Sequence, residues 1–217
     1  MERDYESYTK SVRLVMQEAE RGGLRHVYGP VSRLIRTEEE YAVAVEIALG
    51  AAMQQIVVQT EQDAKAAISF LKRTGGGRAT FLPITSVKGS ELNVNGIDMM
   101  EGYVALASEL VKYDNEYNGI VLSLLGRIVI AENIDLATNI AKKCGYKFRI
   151  ITLDGQVINA GGSFTGGSSS RTSGVLSRKN EISAIEKKID TLSKTHKLLS
   201  DRVKDLTAEV EKLGFDV

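Results

Sequence analysis

The stretch D-G-Q-V-I-N-A-G-G-S-F-T-G-G at residues 154–167 holds five glycines in fourteen positions. Because glycine loses the most conformational freedom when a chain becomes ordered, this run favours neither a helix nor a strand by itself, and something must approach its backbone closely. The Asp154-Gly155 pair is typical of a tight hairpin turn. We predict that residues 148–153 and 157–160 pair around this turn, which leaves residues 161–167 as a side-chain-poor extension at a sheet edge.

A bare sheet edge suits either a ligand or a strand from another chain. The first use would resemble a phosphate-binding loop, whose pattern is G-x-x-x-x-G-K-[ST]. Residues 162–169 form G-S-F-T-G-G-S-S, with serine in place of the lysine of that pattern. Because the lysine supplies the charge that holds the phosphates, the sequence disfavours nucleotide binding here, and the edge remains suited to strand addition.

The composition is that of a soluble globular protein with one large or two small domains: 217 residues, 43% hydrophobic and 26% charged. The formal net charge is zero, which argues against a generally cationic nucleic-acid binder. The charges are nevertheless uneven, because residues 142–179 carry seven basic side chains against one acid, and residues 91–116 carry six acids against one lysine. The sequence therefore allows a local basic face.

Few residues offer chemistry. Cys144 is the single cysteine, which excludes an internal disulfide and a cysteine-based zinc site and fits a reducing compartment, so we expect a cytoplasmic protein. His26 and His196 have no metal-ligand companion at the usual spacing, and Cys144 follows two lysines at a predicted helix end that disfavours the thiolate. No apolar run approaches the about 20 residues that span a bilayer, and the start of the chain is unlike a signal peptide. We expect no cofactor, no metal and no catalytic constellation.

Apolar residues near both ends follow the 3-4 spacing of a coiled-coil seam. The N-terminal seam is Tyr5, Tyr8, Val12, Val15 and Ala19, and the helix is predicted to stop at Gly22-Gly23. The C-terminal seam is Ile182, Ile185, Ile189, Leu192, His196, Leu199, Val203, Leu206, Val210 and Leu213. We predict coiled-coil strands at residues 1–21 and 178–217, and we expect residues 1–21 to pair antiparallel with about residues 180–200 of the same chain.

The part between these ends has the pattern of an α/β protein with two related halves. At an offset of 72 residues, Ile56-Val57-Val58 falls on Ile128-Val129-Ile130, within a helix-strand-helix-strand order that occurs twice. Thr37 is predicted to open the first helix through a capping box, and Thr60 to cap the next. Residues 85–102, rich in glycine and asparagine, are predicted to link the halves at residues 24–84 and 103–177.

Together these features resemble the hinge domain of SMC (structural maintenance of chromosomes) proteins, most closely the bacterial chromosome-condensation type. The family pattern G-x6-G-x3-G-G is present as Gly155, Gly162, Gly166 and Gly167. Further family-like runs are Y-G-P-V-S-R-L-I at 28–35, A-L-G-A-A-M-Q-Q-I-V-V at 48–58, G-R-A-T-F-L-P at 77–83 and V-K-Y-D at 111–114. The resemblance covers residues 22–176, with the predicted coiled coils where the family has its arm.

The resemblance implies a homodimerisation module at residues 22–177 that joins two coiled-coil arms, with the family's ATPase head at the far end of the arm and outside this chain. The implied dimer interface comprises Gly155, Gly161, Gly162, Phe164, Thr165, Gly166 and Gly167. The resemblance also implies weak DNA binding, with single strands favoured. The candidate residues for it are Lys142, Lys143, Lys147, Arg149, Arg171, Arg178 and Lys179. The alternative is a small-ligand or nucleotide-binding α/β domain with incidental coiled coils, which would need a pocket with convergent polar groups at the glycine run.

Overall fold

The computed structural model describes residues 8–167 and 174–215, and the chain divides into two units, Met1–Ser177 and Arg178–Val217. The helices are α1 (Lys10–Glu20), α2 (Val31–Leu34), α3 (Ala42–Leu49), α4 (Glu61–Thr74), α5 (Asn118–Leu125), α6 (Ile134–Lys143) and α7 (Val175–Phe215). The strands are β1 (Val27–Pro30), β2 (Arg36–Thr37), β3 (Ile56–Val58), β4 (Phe81–Pro83), β5 (Tyr103–Leu106), β6 (Val111–Lys112), β7 (Ile128–Ala131), β8 (Arg149–Thr152), β9 (Val157–Ile158) and β10 (Phe164–Thr165). The predicted α/β class is confirmed.

The two predicted halves share one strand pattern. In the first sheet the order is β1-β3-β4, with β1 antiparallel and β4 parallel to the central β3. In the second sheet the order is β10-β9-β8-β7-β5, with β5 antiparallel and β8 parallel to β7. Helices α4 and α6 make the corresponding crossovers, so β1, β3 and β4 match β5, β7 and β8. The second half differs in one respect, because β9 and β10 extend its sheet beyond β8.

Local sequence explains where the crossover helices begin and end. At the start of α4, Thr60 and Asp63 form a reciprocal capping box, as predicted, and Gly75 ends the helix with a left-handed φ of 60°. At the start of α6, the side chain of Asn133 accepts a hydrogen bond from the Leu136 backbone N–H at 3.0 Å. Central strands β3 and β7 are entirely buried, as their unbroken apolar sequences suggest.

The two halves are joined by a short antiparallel ladder between β2 and β6, in which Thr37 faces Val111. The Thr37 side chain donates to the Leu110 carbonyl at 2.7 Å, so the predicted capping box at Thr37 is wrong. The chain instead passes through a 3-10 turn at Glu39–Tyr41 and enters α3 at Ala42 without a side-chain cap. A matching 3-10 turn at Asn115–Tyr117 precedes α5 in the second half. One hydrophobic cluster contains residues of α3, α5 and β8 and therefore spans both halves.

The predicted N-terminal seam faces the interior of the first unit. Tyr8, Val12 and Val15 are buried in a cluster with residues of β3 and α4, such as Ile56 and Leu71. Tyr5 and residues 1–7 as a whole lie outside the described residues. The pairing of α1 with the C-terminal helix stays a prediction.

The long helix α7 occupies the predicted C-terminal segment. The exposed large apolar residues of α7 are Ile182, Ile185, Ile189, Leu192, Leu198, Leu199, Val203, Leu206 and Val210. All but Leu198 belong to the predicted seam. Exposed apolar side chains repeating in this way are typical of a helix that pairs with another helix. No helix within residues 8–167 and 174–215 is long and apolar enough to cross a membrane.

Candidate functional site

The glycine run folds into a three-strand meander that ends the second sheet. Ile150 faces Ile158 and Ile151 faces Val157, so the predicted hairpin around Asp154-Gly155 is confirmed. Residues 161–167, predicted as a side-chain-poor extension at a sheet edge, do lie at the end of the sheet. Within them, Phe164 and Thr165 form a further strand, β10, which the sequence did not predict and which pairs antiparallel with β9. The chain reverses between them because Gly161 and Gly162 both take positive φ angles.

Two glycines of the run are constrained within their own chain, Gly155 by a close contact and Gly162 by its backbone angle. A Cβ at Gly155 would lie 2.3 Å from Ile47 Cδ1 and 3.1 Å from Val43 Cγ1, both on α3 of the first half. A Cβ at Gly162 would contact the Tyr146 ring at 3.5 Å, and the φ of Gly162 is +92°. Gly155 therefore serves the packing of the two halves and Gly162 serves the turn before β10.

At the other end of the run, Gly167 lacks such contacts and Gly166 is constrained only by the side chain of Gln156. Gly166 and Gly167 are exposed, and a Cβ at Gly167 would meet nothing within 4 Å, although its φ is +142°. A Cβ at Gly166 would meet only the side chain of Gln156. Within the first unit, glycine at 166 is therefore explained by the Gln156 amide alone, and glycine at 167 by its backbone angle alone.

Strand β10 lies at the end of the sheet order and presents an open edge. The Asn159 N–H donates to the Ser163 carbonyl at 2.8 Å, and Thr165 lies opposite Val157. Because backbone groups of successive residues point to opposite sides of a strand, those of Phe164 and Gly166 point away from β9. The Phe164 side chain is 54% exposed. This edge has the properties that favour addition of another strand.

A second open edge lies on the first sheet, at β4. The Thr80 carbonyl accepts from the Ile56 N–H at 2.9 Å, and the Ile84 N–H donates to the Val58 carbonyl at 2.9 Å. Residues 80 and 84 therefore bond to β3, and by alternation Phe81 directs its backbone groups to the other side. In the repeat, β4 matches β8, whose outer side is covered by β9. The first sheet ends at β4 among the described residues.

Of the four predicted basic side chains that the structure describes, three are exposed and one is not. Lys142 and Lys143 in the last turn of α6, and Lys147 just beyond it, are exposed. Arg149 is half-buried instead, and its guanidinium donates to the Ala48 and Ile47 carbonyls at 3.3 and 3.4 Å, at the C-terminal end of α3. Cations are favourable there because they offset the helix dipole and its unpaired carbonyls. Arg149 is thus an internal brace between the halves, which is a correction to its predicted place in a DNA-binding set.

The remaining members of that set are outside the description. Arg171 lies in residues 168–173, and the side chains of Arg178 and Lys179 are likewise not among those the structure describes. Within residues 8–167 and 174–215, no group of three or more His, Cys, Asp or Glu side chains could hold a metal ion.

Sequence reasoning missed the last turn of α3, which holds three parts of the unit together. The Glu46 carboxylate accepts from the Leu176 backbone N–H at 2.5 Å and so caps the first turn of α7. The carbonyl of the next residue, Ile47, accepts a hydrogen bond from the Arg149 guanidinium. The Ile47 side chain lies against Gly155. Leu176 itself is buried in the core that spans both halves. The only local signal was the apolar helix pattern of α3, which does not reveal its distant contacts.

An aromatic pair lies where the two halves meet. The rings of Tyr28 and Tyr117 lie edge to face with centroids 5.8 Å apart. Burial, assisted by the neighbouring Glu116 carboxylate, raises the pKa of Tyr117 far above its ordinary value. The Tyr117 hydroxyl therefore stays neutral, and the pair acts in packing rather than in acid–base chemistry.

Comparison with known proteins gives a consistent picture. The family model for the SMC proteins Flexible Hinge Domain matches residues 24–141. The Chromosome partition protein Smc of Bacillus subtilis is 40% identical over 170 residues, which cover 76% of this chain and 14% of that protein. The corresponding protein of Clostridium kluyveri is 37% identical over 166 residues, with 75% and 14% covered. This chain therefore spans only a small part of the length of these curated relatives.

Solved structures match as well. A crystal structure of an asymmetric dimer of the Geobacillus stearothermophilus SMC hinge domain has a TM-score of 0.80 and 37% identity, and covers 90% of this chain and 79% of that chain. The Pyrococcus furiosus SMC protein hinge domain has a TM-score of 0.61 and 28% identity, with 75% and 81% covered.

Proposed function

The chain belongs to the family of SMC hinge domains, and from that premise we propose that it is the homodimerisation hinge of a bacterial-type chromosome partition protein. It joins two copies of the chain, each of which continues into a coiled-coil arm. Its contribution is a protein–protein junction, with no catalytic step of its own. The observation that carries the proposal is that each half of the repeat ends in an open strand edge, β10 in one half and β4 in the other.

The two edges are complementary because the repeat leaves one sheet incomplete. In the second half, the side of β8 away from β7 is covered by β9, whereas no strand among the described residues pairs with the corresponding side of β4. The free backbone groups on that side belong to Phe81, because Pro83 lacks an N–H and its carbonyl accepts from the Val87 N–H at 2.9 Å. Strand β10 of one copy can therefore add to the β4 edge of the other copy, where Phe164 and Phe81 present outward backbone groups. Two copies related by a twofold axis can make this junction twice, and the pair then closes as a dimer because neither edge is left for a third copy.

The glycines at the end of the run fit this arrangement. Gly166 and Gly167 leave room for a second backbone beside β10, where larger side chains would hold it away. The Geobacillus hinge, which is 37% identical, crystallised as a dimer, and this supports the same state for the present chain. The exposed apolar seam of α7 supports the arm, because a helix with that seam requires a partner helix.

The experiment that tests the proposal is sedimentation of the wild-type chain and of Gly166→Asp and Gly167→Asp. The wild type should sediment as a dimer near twice 23.7 kDa. Each substitution places a side chain and a charge at the open edge and should yield monomers with an unchanged circular dichroism spectrum. The matched control is Gly96→Asp, since Gly96 also has a positive φ and open space around it but lies far from the run in sequence. A double substitution at 166 and 167 that remains dimeric would place the interface elsewhere.

Weak DNA binding is the second candidate function, and the exposed group of Lys142, Lys143 and Lys147 favours it. These lysines lie at and just beyond the C-terminal end of α6 and are not part of strand β10. With about three phosphate contacts, affinity should fall about tenfold or more between about 50 and about 200 mM salt. Such binding, with single strands favoured, would place the full protein on the nucleoid in the cytoplasm.

A matched pair of charge reversals tests the DNA proposal. Replacing Lys142 and Lys143 together with glutamate should abolish a gel shift with a single-stranded oligonucleotide and leave the dimer intact. The control replaces Lys72 and Arg73, which occupy the corresponding last turn of α4. Binding that survives the first reversal, or that is equally lost in the control, would contradict a site at the end of α6.

A further inference from the structure

Gln156 holds the open edge of β10 in place by means of its side chain. The register of the meander pairs Thr165 with Val157, so continuation of the same ladder would pair Gly167 with Gly155. That pairing cannot form, because the Gly155 N–H turns back and donates to the Thr152 carbonyl at 2.8 Å. The backbone of Gly167 is therefore left without its partner on β9.

The Gln156 amide supplies the missing partner. Its Oε1 accepts from the Gly167 N–H at 2.9 Å, and its Nε2 donates to the Gly167 carbonyl at 3.1 Å. The orientation of the amide is determined by its neighbours, since Nε2 also faces Asp154 Oδ2 at 3.4 Å and both of its partners are acceptors. The side chain thus makes the two-point contact that an opposing backbone residue makes in an antiparallel ladder.

The backbone of Gln156 is itself fixed. Its N–H donates to Thr152 Oγ1 at 2.8 Å, and its carbonyl accepts from the Thr152 N–H at 2.9 Å. Thr152 is fully buried. The side-chain amide therefore extends from a fixed backbone and supports Gly167 through its two hydrogen bonds.

The position of this amide explains why residue 166 is glycine. A Cβ at Gly166 would lie 2.1 Å from Gln156 Oε1, so any larger residue must displace the amide. With the amide in place, residues 164–167 continue as one extended segment whose Gly166 backbone groups point outward.

We infer that Gln156 is a positioning residue of the dimer junction: its amide replaces the absent backbone partner of Gly167 and keeps Gly166 extended for a strand of the second copy. This inference rests on the proposed dimerisation through β10. It identifies a residue that acts through the edge strand rather than by touching the partner.

The test measures the dimer dissociation constant of Gln156→Met and Gln156→Glu by sedimentation at several concentrations. Methionine keeps the length of the side chain without the amide, and glutamate keeps an acceptor but cannot donate to the Gly167 carbonyl. Methionine should raise the dissociation constant about tenfold or more, since it loses both hydrogen bonds that order the edge, and glutamate, which loses one of them, should raise it less. The circular dichroism spectrum should not change. Gln62→Met on the exposed face of α4 is the control.

A second measurement separates positioning from a general structural effect. Because alanine at Gly166 already displaces the amide, adding Gln156→Met to Gly166→Ala should cost little further affinity, so the two effects should not add. The Gly167 amide should also exchange its hydrogen faster in Gln156→Met than in wild type when both are diluted to monomers.

The outcomes are distinct. Unchanged dissociation constants for both Gln156 variants, together with monomers for Gly166→Asp, would overturn the inference and leave the proposed junction standing. If Gly166→Asp also remained dimeric, the junction itself would be wrong. Additive effects of Gln156→Met and Gly166→Ala, or loss of folding in both Gln156 variants, would equally overturn a positioning role.

Discussion

Replacement of Gly155 by alanine should destabilise the first unit itself, unlike the substitutions at the open edge. At Gly155 the φ angle is +90°, and a Cβ would lie 2.3 Å from Ile47 Cδ1. An L-residue in the left-handed region costs about 1–2 kcal/mol. Forcing a methyl group into an occupied contact costs about 1–3 kcal/mol more, because α3 and the turn must move apart. We therefore expect Gly155→Ala to lower the free energy of unfolding by about 2–5 kcal/mol, the sum of these two ranges.

Urea unfolding followed by circular dichroism measures this loss, at a fixed protein concentration because a dimer is more stable at high concentration. Gly161→Ala is the matched control, since Gly161 has a φ of +86° with nothing within 4 Å of its Cβ position. The control should show only the backbone cost. Shortening the contacted side chain, in Gly155→Ala with Ile47→Val, should recover part of the overpacking cost but none of the backbone cost.

The reasoning would be refuted if Gly155→Ala lost no more stability than Gly161→Ala, or if the Ile47→Val change gave no recovery. Either result would mean that the close approach of the turn to α3 does not constrain residue 155. Gly155 would then not be distinguished from Gly166 and Gly167 by packing. The structure instead assigns internal packing to Gly155 and a place at the open edge to Gly166 and Gly167.

Three further predictions concern the connections of α3 and the arm. Arg149→Met should lower the free energy of unfolding by about 1–3 kcal/mol, because the α3 carbonyls lose a charged donor. DNA affinity measured by gel shift should not change, and a selective loss of DNA binding would contradict the role of Arg149 as an internal brace. Glu46→Ala should speed hydrogen exchange of the Leu176 amide, and Glu46→Gln, which keeps an acceptor, should speed it less. Equal exchange rates in the wild type and both variants would contradict the capping of α7 by Glu46. Cysteine pairs placed across α1 and α7 should crosslink within one chain, and crosslinks found only between chains would contradict the antiparallel pairing.

Much of the fold could be predicted because its signals are local. The Thr60 cap predicted the start of α4, and the helix-strand-helix-strand order predicted for each half matches α3, β3, α4 and β4 in the first half and α5, β7, α6 and β8 in the second. The Asp154-Gly155 turn determined the β8–β9 register, because a tight hairpin leaves little choice of pairing. The predicted capping box at Thr37 failed because a nonlocal partner, the Leu110 carbonyl, takes its hydroxyl. Local propensity is outweighed where a strand from the other half provides a better hydrogen bond.

Prediction of the site was limited by the same nonlocal effects. Arg149 counted as one basic residue among seven, because sequence spacing does not reveal that β8 passes the C-terminal end of α3. Strand β10 was missed because its two strand-favouring residues, Phe164 and Thr165, stand between glycines that weaken a strand, and β9 together with the Gln156 amide stabilises the segment. The role of β4 as an open edge followed only from comparing the two sheets.

The sequence by itself determined the family, the repeated α/β order and the location of the glycine edge, because these depend on residue identities at short spacings. Only the tertiary structure divided the glycines between internal packing and an open edge. It alone showed that Gln156 replaces a missing backbone partner and that β4 lacks the cover that β8 has. The physical reason is that strand pairing and close packing depend on which distant segments meet. In this chain the last turn of α3 contacts Arg149 and Gly155, about a hundred residues away, and the end of the glycine run contacts Gln156, beside the neighbouring strand.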